Sequence, residues 1–190
     1  LSDGSVVWLN SSSSLVFPTR FSNPREVWIK GEVYFEVSPD DSNPFIVNAY
    51  DQRITVLGTS FNVSAYEEEK SIETTLLTGK VVVSVAGVHM ELKPGFKSVV
   101  DKRSGDVSVS EVIYPDYHIS WIKDVFFFDN ESIDFICRTL SRWYDIEIDA
   151  SSPTLADIKY SGLLKKYDTM NNIAELMNAT RSYSKKKTGK

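Results

Sequence analysis

Apolar and polar residues alternate along most of the first 113 positions. Ser5–Leu9, Val27–Lys30, Glu32–Val37, Phe45–Ala49, Ile54–Val56, Ser60–Tyr66, Glu73–Leu77, Lys80–Val85 and Val107–Ile113 are rich in Val, Ile, Phe, Tyr and Thr. Gly, Pro, Asn, Asp or Ser separates most of them. A period of two between turn signals predicts strands. No stretch here carries a convincing 3.6-residue apolar period, so the region reads as a β-sandwich, jelly roll or β-solenoid. Gly31-Glu-Val-Tyr-Phe-Glu-Val37 echoes Gly79-Lys-Val-Val-Val-Ser-Val85, and Gly4-Ser-Val-Val-Trp-Leu9 is close to both. Each pairs a glycine suited to φ > 0 with a half-buried strand. Gly4, Gly31 and Gly58 are evenly spaced, but Gly79 and Gly95 break the period. Repeated hairpin chemistry explains this better than a solenoid.

The pattern changes near Tyr114-Pro-Asp-Tyr117. Val125–Phe128 is a short apolar strand, and Asp129-Asn130 supplies N-cap chemistry for a helix. Ile133, Ile136, Leu140 and Trp143 then sit three and four apart, the buried stripe of that helix. Asp145–Asp149 alternates again and predicts a strand, completing a β-α-β unit. A second unit follows in outline. Ile158–Leu164 is its strand, Asp168 a candidate N-cap, and Met170, Ile173, Leu176 and Met177 its helical stripe. The expected organisation is an all-β domain over 1–113, most simply a two-sheet jelly-roll-like sandwich. A linker at 114–122 leads to a small α+β domain over 123–180, and 181–190 is a basic tail.

Composition narrows the classes. The 190 residues are 42% hydrophobic and 25% charged, which excludes a disordered chain. One Cys excludes a disulfide scaffold, and two His leave little for a His-rich metal site. A net charge of −5 argues against nucleic acid as a partner. Arg181, Lys185, Lys186, Lys187 and Lys190 give the last ten residues a charge of +5, and they read as a solvated or frayed end. No apolar run is long enough to span a bilayer. The chain starts at Leu1 without a charged n-region and apolar h-region, so it reads as a piece of a longer protein.

Residues that could carry chemistry do not converge in the sequence. Cys137 falls on the helical stripe and reads as buried and structural. His89 and His118 lie in separate segments, and no His-x-His offers a cupin-like metal site. Glu67-Glu-Glu69 lacks the spacing of a calcium loop. Glu32 and Glu36 could serve a glycosidase, but acidic residues on the outer face of a strand are the favoured explanation. Gly58 and Gly79 are isolated, so no phosphate loop forms. Trp8, Trp28 and Tyr34 could make a sugar-stacking platform on a sandwich, or could be core residues. No cofactor and no enzymatic activity are expected.

Several runs resemble the FecR-like anti-sigma factors. They are Leu1-Ser-Asp-Gly-Ser-Val-Val-Trp-Leu-Asn10, Val27-Trp-Ile-Lys-Gly-Glu-Val-Tyr-Phe-Glu-Val37, Pro44-Phe-Ile-Val47, Val56-Leu-Gly-Thr-Ser-Phe-Asn-Val63, Leu77-Thr-Gly-Lys-Val81 and Leu92-Lys-Pro-Gly95. Ser120-Trp121, Phe127-Phe-Asp-Asn-Glu131, Leu140-Ser-Arg-Trp-Tyr-Asp-Ile146 and Tyr160-Ser-Gly162 resemble the domain that follows in Bacteroidetes-type members. The resemblance implies a periplasmic sensor region that contacts the N-terminal signalling domain of an outer-membrane TonB-dependent transporter. It also implies a sigma factor held by a cytoplasmic segment, and an inner-membrane tether through an upstream helix, neither within this sequence. A strand edge at Lys159, Tyr160 and Ser161 is the candidate partner-binding element, the alternative being an internal strand with ordinary side chains. The alternative function is a carbohydrate-binding module.

Overall fold

A computed structural model describes residues 1–148 and 158–166. Eleven strands precede residue 115: β1 Val6–Leu9, β2 Ser14–Val16, β3 Arg25–Glu36, β4 Phe45–Ala49, β5 Gln52–Val56, β6 Ser60–Ala65, β7 Ser71–Thr78, β8 Val81–Val85, β9 Val88–Leu92, β10 Phe96–Asp101 and β11 Val107–Glu111. A 3-10 helix covers Pro115–Lys123. After it come β12 Val125–Ser132, the helix α1 Ile133–Tyr144, and β13 Lys159–Lys165. The chain divides into two compact units between Ile119 and Ser120.

The first unit is a two-sheet, jelly-roll-like sandwich built around β3. This 12-residue strand belongs to both sheets. Its first half pairs with β2 and, in parallel, with β4. Its second half pairs with β1 and β6. One sheet therefore runs β2-β3-β4-β5-β8-β9 and the other β1-β3-β6-β7-β10-β11. The pattern predicted two strands here, Val27–Lys30 and Glu32–Val37, parted at Gly31. The structure keeps one continuous strand and bends it there.

Gly31 permits that bend. It holds φ at +82°, and a Cβ in its place would lie 2.8 Å from the Ser13 Cα. The turn between β1 and β2 presses on this point. Ser13 Oγ accepts a hydrogen bond from the Glu32 N–H at 2.8 Å, and the Asn10 N–H donates to the Glu32 carbonyl at 2.9 Å. Only glycine meets both the positive φ and the close approach without strain.

Alternation then fills the space between the sheets. Val33, Phe35, Phe61, Val63, Ile72 and Leu76 face Val27, Phe45, Val47, Ile54, Val56 and Val83 in one core. Phe35 stacks on Phe61 at 5.1 Å and meets Phe45 edge-on at 6.1 Å across the sheets. Each such fully buried side chain contributes about 1.5–3 kcal/mol. One polar link crosses this core, from Gln52 Nε2 to Thr74 Oγ1 at 2.9 Å.

Three strands were not foreseen: β2, β9 and β10. Their sequences carry too few apolar alternations. Ser98, for instance, points into the core although it is polar. The pattern also placed the helix cap at Asp129-Asn130. The strand instead continues to Ser132, whose Oγ accepts the Phe135 N–H at 3.2 Å and caps the helix. The strand expected at 145–149 is absent from 145–148. Asp145 turns left-handed at φ 51° and closes α1, its N–H bonding to the Ser141 carbonyl. The β-α-β order is kept by β13, which pairs antiparallel with β12. The second helical stripe at 170–177 and the basic tail lie outside the described residues.

Asp3 and Arg25 pin the entry of the chain onto the sandwich. Arg25 is 2% exposed. It donates from Nη1 to Asp3 Oδ2 at 2.8 Å and to the Ser38 carbonyl at 2.9 Å, and from Nε to the Asn43 carbonyl at 2.8 Å. Burial pushes the Asp3 carboxyl up, but hydrogen bonds from Ser5 and the Arg25 guanidinium outweigh it and hold it below the ordinary 3.8. A lowered carboxyl stabilises the fold above its unfolded value and loses that contribution as pH falls through the folded one. The wild-type urea midpoint should therefore decline below about pH 3.8. Asp3→Asn should cost roughly 3 kcal/mol near neutral pH, because Arg25 stays buried without its counter-charge. It should also flatten the acid limb of the stability curve.

Candidate partner interface

The second unit is organised by a short aromatic alternation. In Val125-Phe-Phe-Phe128, Phe126 and Phe128 turn inward and stack at 6.1 Å. Helix α1 lays Ile133, Ile136, Cys137 and Leu140 over them, with Leu164 from β13. The expected stripe is thus the buried one, and Trp143 closes it edge-on to Phe126 at 5.6 Å. Cys137 is buried; desolvation, then the nearby Asp134 carboxylate, raise its thiol above the ordinary range. That environment suits a packing residue and works against a nucleophilic thiolate.

A bulge fixes the register of β12 on β13. The pairing shifts between Phe128 and Glu131, and Asn130 takes φ 55°. The Asn130 N–H then donates to Ser161 Oγ at 2.7 Å. Lys166 N–H to Asp124 carbonyl and Ile133 N–H to Ile158 carbonyl mark the hydrogen-bonded pairs at the two ends. Antiparallel strands alternate groups facing the partner with groups facing away. Ile158, Tyr160, Gly162, Leu164 and Lys166 therefore spend their backbone groups on β12. Those of Lys159, Ser161, Leu163 and Lys165 point to the other side, where no strand pairs with them among the described residues.

The three expected residues thus divide. Lys159 and Ser161 are exposed and turn their backbones to the open edge. Tyr160 is half-buried, packs edge-on to Phe128 at 6.2 Å and is paired with Glu131. The missed residue of this edge is Leu163, 53% exposed. Its period-two placement with Ser161 was the available signal. The Tyr160-Ser-Gly162 run also acquires a reason: a Cβ on Gly162 would lie 2.9 Å from the Tyr160 Cζ. The bare glycine leaves room for the ring.

Lys166 was not foreseen either. It is buried, with Nζ donating to the Trp121 carbonyl, 3.4 Å from Asp124 Oδ1 and 3.1 Å from the Trp143 ring centroid. Carbonyl, carboxylate and aromatic face together compensate the buried ammonium. Lys165-Lys166 looks like any solvated pair in sequence, so nothing there signalled it.

The remaining candidates stay apart. Glu32 accepts from Asn62 at 2.8 Å and from Asn10 at 2.6 Å, while Glu36 accepts the Tyr34 hydroxyl at 3.2 Å. Four residues along a strand set their Cα atoms about 13 Å apart, and each carboxylate is held by its own partners. His89 shares a hydrogen bond with Ser84 at 2.8 Å. An open cavity of about 510 Å³, bordered by Asp41, Thr55, Leu57, Thr59, Lys80 and Val82, brings no His or Cys to its walls. Among the described residues no three His, Cys, Asp or Glu gather as a metal site, and no helix is long and apolar enough to cross a membrane. Tyr34 is buried and tilts against Trp8 at 5.3 Å, whereas Trp28 is 48% exposed.

Residues 1–82 match the FecR protein family, and residues 125–190 match the FecR C-terminal family. Two crystal structures of a candidate anti-sigma factor from Parabacteroides distasonis ATCC 8503 are similar over 95% of this chain and 84% of theirs. One is 28% identical with a TM-score of 0.87, the other 29% identical with a TM-score of 0.86. No curated protein matches the chain.

Gly162→Val should destabilise the second unit by about 1–3 kcal/mol, the usual cost of overpacking. Thermal melting followed by near-ultraviolet circular dichroism checks this, with Lys159→Val, exposed on the opposite face, expected to melt close to wild type.

Proposed function

Because the chain belongs to the FecR family of anti-sigma factors, we propose that it is the periplasmic sensor region of a membrane-bound member. It relays the state of an outer-membrane TonB-dependent transporter to an extracytoplasmic-function sigma factor. The observation that carries this reading is the 28% identity to the Parabacteroides candidate anti-sigma factor, with a TM-score of 0.87 over 95% of the chain. The family is regulatory, and the acidic, strand-rich surface suits recognition of another polypeptide. In the cell this region is tethered to the inner membrane by a helix upstream of the sequence, and the sigma factor is held by a segment on the other side.

The transporter's N-terminal signalling domain docks on the β13 edge, at Lys159, Tyr160 and Ser161 with Leu163. Support comes from the row of outward backbone groups at Lys159, Ser161, Leu163 and Lys165. An extended partner strand can complete such a row with main-chain hydrogen bonds. Tyr160 contributes from beneath, by holding the strand on Phe128.

A second reading rests on Trp28. Its exposed indole lies between Val16 and Asn48 in the cross-strand row. Asn48 donates to Glu26 Oε1 at 3.0 Å, and Glu26 pairs with Arg53 at 3.3 Å. An aromatic face beside planar polar groups can hold a sugar ring.

Titration calorimetry of the 190-residue chain with the transporter's signalling domain should give saturable binding. Leu163→Pro removes an outward N–H while sparing the ladder to β12, and should weaken binding at least tenfold. Wild-type affinity in a folded Leu163→Pro variant would move the interface off β13, and no binding at all would remove the transporter relay. On a glycan panel, the second reading requires binding that Trp28→Ala abolishes. Silence across the panel dismisses it.

A further inference from the structure

A different edge, on the first unit, has its own geometry. β11 is the outermost strand of the β1-β3-β6-β7-β10-β11 sheet, and four of its five residues are exposed. Its inner side is fixed by two bonds. The Val112 N–H donates to the Gly95 carbonyl at 2.7 Å, and the Asp106 carbonyl accepts from the Asp101 N–H at 2.9 Å. Even-numbered residues 106–112 therefore face β10. The N–H and C=O of Val107, Val109 and Glu111 face outward, six groups in a row. Among the described residues no strand takes them up. The usual protections of an edge are sparse: β11 has no proline and no bulge, and its one charge is at its end.

We propose that β11 pairs antiparallel with β11 of a second copy of this chain, about a two-fold axis through Val109. The sequence is complementary to itself in that register. Val109 meets Val109 of the second copy, and each Val107 meets Glu111. All outward groups of both strands are then used, in six hydrogen bonds. Ser108 falls opposite Ser110, and Val109, 45% exposed in one chain, is covered by its counterpart. No like charges stand opposite each other within the paired strands, which edge pairing requires. Continuing the same register sets Ile113 opposite Gly105. Ile113 is 81% exposed, and the space where a Cβ would stand on Gly105 holds no atom within 4 Å. The most exposed large apolar side chain of the unit thus meets the one glycine of the opposing turn. The interface is isologous and closes at two copies.

Sedimentation equilibrium of the 190-residue chain, from micromolar to millimolar concentration, tests this. The expected result is a concentration-dependent doubling of mass. Val109→Pro keeps the ladder to β10, because the N–H it deletes points outward, and proline is tolerated at such edge positions. It should raise the dissociation constant at least tenfold. Val109→Lys keeps the N–H but opposes two ammonium groups at the axis, and should do the same where the proline variant fails to fold. A wild-type chain that stays monomeric throughout overturns the proposal, even if a heterologous strand is found to pair there. So does a dimer indifferent to both substitutions.

Discussion

The sandwich depends on one strand serving two sheets. β3 must bend in mid-course without losing its hydrogen bonds, and the bend needs a residue with positive φ and no side chain where Ser13 approaches. Gly31 is that residue. Its first half places Val27 and Ile29 in the core, and its second half places Val33 and Phe35 there. Both sheets are therefore held in register by the same covalent backbone. Glu32 reinforces the junction by accepting Asn10 from the preceding turn and Asn62 from β6.

The two units solve the problem of a small core differently. The first buries twenty apolar residues in a single cluster between sheets. Its buried Arg25 is tied down by Asp3 and two carbonyls. Among the described residues, the second gathers seven buried members and adds aromatic contacts and a buried ammonium. Lys166 lies against Trp143 and the Trp121 carbonyl, so the end of β13 is tied to the segment before β12.

Both candidate contact surfaces are strand edges, and the same reasoning locates them. A strand's sequence tells which face a side chain takes. It does not tell which way a backbone N–H points, because that depends on which residue of the neighbouring strand stands opposite. The Lys159–Ser161 segment was legible as a strand from its composition, yet only the pairing with β12 shows that Tyr160 spends its backbone inward. Leu163 joined the edge on the same ground.

By itself the sequence determined the strand-rich first part, the helical stripe Ile133–Trp143 and the positive φ at Gly4, Gly31 and Gly79, because these are local consequences of side-chain period and of a missing Cβ. It also carried the family resemblance. Tertiary structure decided what depends on a distant neighbour. It joined two predicted strands into β3, moved the helix cap from Asp129-Asn130 to Ser132, and made partners of residues as remote as Lys166 and Trp121. The reason is that a hydrogen bond or a buried charge is satisfied by whatever atom the fold brings near, and the identity of that atom is not written in the residues on either side.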